Sequence, residues 1–127
     1  CIKVARLAFT AGIYENAISE AYYSIYNTLT SLFYKCGIKC ENHSGAAILI
    51  KQLFKLERLS EIFSELKRDR IDNQYYVPLT NGEPVSKGEC NKKIILAQKF
   101  NMELRAIIER ITLQEMSQFR KRFQELF

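Results

Sequence analysis

One stretch limits the fold more than any other. From Tyr14 to Phe33, apolar residues recur at spacings of three and four: Tyr14, Ala17, Ile18, Ala21, Tyr22, Ile25, Leu29, Leu32 and Phe33. That is the 3.6-residue period of an α-helix, held for about six turns, and a strand's alternation cannot produce it. The pattern predicts a helix from about Tyr14 to Lys35, with Gly37 as its C-cap. A helix this long and apolar on one side must be covered along its length by other helices.

The rest of the chain supplies them. Val4, Leu7, Ala8 and Ala11 predict one face of a first helix that stops at Gly12. The chain starts at Cys1 inside that pattern, so a clipped first helix and a truncated N-terminus are expected. Ala46, Leu49, Ile50, Leu53 and Phe54 predict a short third helix. Leu59, Ile62, Phe63 and Leu66 predict a fourth, stopped by Pro78. A turn-rich loop, "PLTNGEPVSKGE", follows. Ser86 and Glu89 match a capping box opening a fifth helix, lined by Ala97, Phe100, Leu104, Ile107, Ile108 and Ile111. Thr112 and Glu115 repeat the signal, so a break and a further amphipathic helix carrying Met116, Phe119, Phe123 and Leu126 are expected. The fold class is all-α: an up-and-down antiparallel bundle of five to six helices, one domain over residues 1–127.

The 127 residues suffice for one core, and no apolar run reaches the length of a membrane span. A net charge of +5 permits an anionic partner without requiring one. The four cysteines and single histidine make neither a disulfide framework nor a zinc ligand set, so reduced thiols in a cytoplasmic protein, with no metal and no cofactor, are expected.

Three places carry candidate chemistry. Arg70 falls at the centre of the fourth helix's apolar stripe, where a guanidinium needs an anion, an interface or an acid such as Glu20. Ile71 and Tyr75 add apolar material on another flank, as a dimer interface would. Tyr23 and Tyr26, three apart, share a face of the second helix beside Asn27; they either stack on bases or spend their hydroxyls on inter-helix hydrogen bonds. His43, Ser44 and Gly45 open a helix, where backbone N–H groups either hold an anion or are simply capped.

Taken in order, these stretches resemble the HEPN domain family (higher eukaryotes and prokaryotes nucleotide-binding). The resemblance rests on Ala17 through Ala21-Tyr22-Tyr23 to Tyr26-Asn27, then Gly37-Ile38 and "KCEN" before His43-Ser44-Gly45, then Arg70, four residues and Tyr75. It implies a helical bundle, a homodimer across the Arg-bearing helices, and two functional branches. One branch carries R-x4-6-H and cleaves RNA without metal. Its Arg holds the phosphate and its His activates the 2′-hydroxyl, and many such members are toxins held by a nucleotidyltransferase-like partner protein. The other lacks the His and binds nucleotides or partners.

This chain has Tyr75 where the cutting branch has His. A phenol is only ~0.1% ionised at neutral pH, a poor general base, and a positioned base contributes about 10²–10⁴ in rate. The resemblance therefore implies a non-catalytic nucleotide- or RNA-binding module, half of a nucleotidyltransferase–HEPN pair, with Arg68, Arg70, Asn73, Tyr75, Tyr23 and Asn27 at the binding surface. The alternative is a metal-independent ribonuclease using Arg70 with Tyr75 or His43. His43 qualifies only if the fold carries it to Arg70.

Overall fold

The computed structural model describes residues 1–74 and 85–127, and the side chains of all of these except 71–74. Six α-helices are present among them: α1 (Ile2–Thr10), α2 (Tyr14–Lys35), α3 (His43–Ile48), α4 (Glu57–Gln74), α5 (Lys87–Arg110) and α6 (Leu113–Leu126), with a π-helical stretch, Leu49–Leu53, continuing α3. No strand occurs among the described residues. The helical bundle read from the periodicities is the observed architecture.

α2 is the axis of the bundle. It packs against α1, α4 and α5, and every residue of its stripe is buried except Tyr14, which is half-buried. Each large apolar side chain so covered contributes about 1.5–3 kcal/mol. Both ends of the α1–α2 region close as the glycines require. After α1, Gly12 sits at φ +79° while Ile13 N–H donates to Ala8 and Gly12 N–H to Phe9. After α2, Gly37 sits at φ +72° while Ile38 N–H donates to Phe33 and Gly37 N–H to Tyr34. These paired bonds define the Schellman cap. The short turn after α1 makes α1 and α2 antiparallel neighbours.

Three details differ from the sequence reading. The inward face of α1 is Ile2, Ala5, Ala8 and Phe9, with Ala5 fully buried; Val4 and Leu7 are 44% and 69% exposed. Nine residues with small alanines on two sides do not define one stripe, and tertiary packing chose the other. The short third helix changes to π-type winding at Leu49, which sets Leu49, Ile50 and Leu53 into the core together. The Ser86 cap is one-sided: Ser86 Oγ accepts from Glu89 N–H, whereas Thr112 and Glu115 close a full capping box. Tyr75, Pro78 and the turn-rich loop through residue 84 lie outside the described residues, as do the side chains of Ile71 and Asn73.

α6 lies over the π stretch rather than in the core, and none of its residues is fully buried. Phe119 packs on Phe54 at 4.6 Å between ring centroids, and Phe54 in turn stacks on Phe33.

Candidate functional site

Arg70 turns inward, as its place on the α4 stripe requires. Its Nη1 donates to the Tyr23 hydroxyl at 3.0 Å, and its guanidinium carbon lies 5.0 Å from the Tyr22 ring centre and 5.5 Å from that of Tyr23. Two aromatic faces and a phenolic oxygen thus receive the cation, which stays half-buried. Glu20 makes no ion pair with it.

His43 meets the same rings. Asn42 caps α3, its side chain accepting from Gly45 N–H, and this puts His43 at the first helical position. With Gly45 N–H spent on Asn42, the segment "NHSG" is a satisfied cap. From there the imidazole stacks on Tyr26 at 4.1 Å and 25°, and its Nδ1 lies 2.5 Å from the Tyr22 hydroxyl. Tyr23 meets it edge-on. The fold therefore does bring His43 and Arg70 to the same Tyr22–Tyr23 pair, close enough for the Arg70 charge to act on the imidazole.

The electrostatics follow from this crowding. Burial, then the charges of Arg70 and Lys67, hold the His43 imidazolium pKa below the usual 6.5. His43 is accordingly neutral at pH 7. Burial pushes the Tyr22 phenol well up, against the pull of Arg70. Tyr26 is raised by burial and by Cys40 and Glu41 beside it. Tyr22 is completely buried, its phenolic hydrogen needs an acceptor, and Nδ1 is its described partner. Satisfying Tyr22 makes Nδ1 the acceptor and leaves the imidazole proton on Nε2. In that tautomer His43 presents an N–H donor and not a base.

The other expected residues scatter. Arg68 is exposed, about 200° around α4 from Arg70. Asn27 is exposed and lines a different hollow, with Ser24, Thr28 and Arg105. Asn73 lies on α4, and Tyr75 falls outside the described residues. Among the described residues no group of His, Cys, Asp and Glu is arranged to hold a metal ion. Cys36 and Cys90 are buried free thiols, raised by that burial.

Sequence reasoning missed what anchors Arg70. Lys93 of α5 bonds Asp69 at 2.8 Å and Glu65 at 3.3 Å, and so ties the turn carrying Arg70 to α5. The two carboxylates raise the Lys93 pKa despite its burial. The i, i+4 spacing of Glu65 and Asp69 was a visible signal of a shared face, but nothing in a sequence tells which lysine it will meet.

The HEPN domain family model matches residues 1–110. The chain belongs to the HEPN domain family. The match takes in α1 to α5 and the whole Arg70–His43 cluster, and α6 follows it. A search of the curated proteins found no match. No helix of the described residues is long and apolar enough to cross a membrane.

Proposed function

We propose that this HEPN domain binds a nucleotide or RNA without cutting it, with Arg70 and His43 as the paired donors to a phosphate. The observation that carries the reading is the shared placement of the two on the Tyr22–Tyr23 rings. A guanidinium and a neutral imidazole N–H can both donate to one anion. The tautomer favoured by Tyr22 argues against a general base at His43, and Tyr75 is a weak one on chemical grounds. The family membership supports a nucleotide- or RNA-related role. It also suggests a homodimer across the α4 helices and a nucleotidyltransferase partner.

A second reading has one observation in its favour. His43 is uncharged at pH 7 and beside a phosphate-binding Arg, as a ribonuclease base would be. It requires the opposite tautomer, with Tyr22 accepting.

Wild type and Arg70→Ala, incubated with structured and single-stranded RNA in EDTA and then titrated at low salt, decide between the readings. Binding without cleavage, weakened by Arg70→Ala, is the expected result. Cleavage lost in Arg70→Ala and in His43→Ala would establish the ribonuclease instead. Absence of both binding and cleavage would sink both readings.

A further inference from the structure

The Arg70 cluster is one end of a longer face. Tyr23, Tyr26, Thr30, Phe33 and Tyr34 fall within about 100° of one another around α2. Beyond Tyr26 this face opens into a hollow of about 640 Å³, walled by Thr30, Ser31, Phe33 and Tyr34 on one side and the loop 37–41 on the other. That is the size range of sites for small organic ligands. Tyr34 stands 88% exposed at its wall, although an aromatic side chain ordinarily finds cover. Cations stand near it. Lys39 lines the hollow, held only by an exposed ion pair to Glu41 at 3.9 Å, a contact of little energetic weight. Arg120 of α6 lies against Gly37, another lining residue, and has no hydrogen bond or ion pair among the described residues.

The hollow lies beside the first site. Tyr26 stacks on His43 on one side and feels Cys40 and Glu41 of the loop on the other. Along α2, Tyr34 is about 12 Å beyond Tyr26. Bases stacked in a helix advance only about 3.4 Å per step, so the two places are too far apart for two bases adjacent in one stack. An open tyrosine face with flanking cations suits an unstacked base and its phosphate.

We propose that this hollow is a second nucleotide subsite, which takes a further base of a single-stranded RNA against Tyr34, with Lys39 and Arg120 on its phosphate. The inference rests on the nucleic-acid reading of Arg70 and extends it: the ligand is single-stranded and longer than one nucleotide. The lining of the hollow lies within residues 1–110, and only Arg120, which reaches its edge at Gly37 from α6, comes from beyond the family match.

The test is calorimetric titration of the full chain with uridine monophosphate, single-stranded hexauridylate and a short RNA duplex, at several salt concentrations. Tyr34→Ala should weaken hexauridylate about 5- to 150-fold, the span of one base–aromatic stack, and leave the mononucleotide unchanged. Tyr34→Phe should restore the affinity. Arg120→Ala should make the logarithmic salt slope shallower by about 0.7. Tyr34 is exposed, so its removal does not threaten the fold. If Arg70→Ala weakens hexauridylate while Tyr34→Ala and Arg120→Ala match wild type, the subsite is overturned and the Arg70 reading stands. Duplex bound as tightly as the single strand overturns it too. If wild type binds neither ligand, the Arg70 reading falls and takes the subsite with it.

Discussion

The Tyr22 hydroxyl and His43 Nδ1 are hydrogen-bonded at 2.5 Å, and this contact joins the core of the bundle to its candidate site. Tyr22 is fully buried on α2, while His43 is half-buried at the start of α3. The bond therefore fixes the orientation of the only histidine in the chain and, with the Tyr22 hydroxyl as donor, its tautomer as well.

That solitary histidine gives a clean titration. Its folded pKa lies below 6.5 because burial, Arg70 and Lys67 all disfavour the imidazolium. For a base with a depressed folded pKa, the unfolded chain binds the proton first as pH falls. Stability should then be highest above about pH 6.5, decline as pH falls from there toward the folded pKa, and level off below it. Ring ¹⁵N spectra should show the proton on Nε2 at pH 7 and a midpoint below 6.5. Arg70→Met should move that midpoint upward. A midpoint at or above 6.5 in wild type would contradict the arrangement.

Tyr22→Phe keeps the ring that supports Arg70 and removes only the hydroxyl. The loss should be about 1 kcal/mol in denaturant unfolding. More telling is the imidazole, which should lose its fixed tautomer and show mixed Nδ1 and Nε2 protonation. An unchanged ¹⁵N pattern would mean that Tyr22 does not set the tautomer.

The helices were legible because each writes its period into the chain, and Gly12, Gly37 and Thr112 mark their ends with local chemistry. Arg70 was legible for the same reason: a charge on an apolar stripe is conspicuous. Its partners were harder to read. Tyr23 and His43 are separated from Arg70 by long intervals of chain, and periodicity gives the direction of a side chain but not what it meets. Asn27 shows the cost of reading proximity along the chain as proximity in space. It sits beside Tyr26 in sequence yet lines the hollow with Arg105. The inward face of α1 was missed because a short helix rich in alanine offers two nearly equal stripes.

Lys93 tests whether the anchoring of Arg70 matters. The side chain is only 14% exposed, between Asp69 and Glu65. Lys93→Met removes the charge and leaves two acids facing each other, at a cost of about 1–3 kcal/mol. The Lys93 pKa is raised by its carboxylates, so its contribution is fully present below about pH 10.5 and disappears as pH rises through the higher folded value. Unfolding free energies of wild type and Lys93→Met should therefore differ at pH 7 and converge in strong alkali. A constant difference up to alkaline unfolding would show that packing, and not charge, held Lys93.

Two glycines in the same backbone conformation isolate the contact made by α6. Gly12 and Gly37 have φ of +79° and +72°, and each would carry the left-handed penalty if replaced by alanine, about 1–2 kcal/mol. They differ in their surroundings. A Cβ at Gly12 meets nothing within 4 Å, whereas one at Gly37 comes within 3.3 Å of Cδ and Nη1 of Arg120. Gly12→Ala thus reports the backbone term alone, and Gly37→Ala adds whatever is needed to push Arg120 aside. The expected order is a larger loss at Gly37, by a few tenths of a kcal/mol up to about 1, since a flexible arginine yields more readily than packed core. In an Arg120→Ala background the two glycine substitutions should become equal. Persistence of the difference there would mean that Arg120 does not lie over the α2 terminus, and would remove one of the two cations from the hollow beside Tyr34.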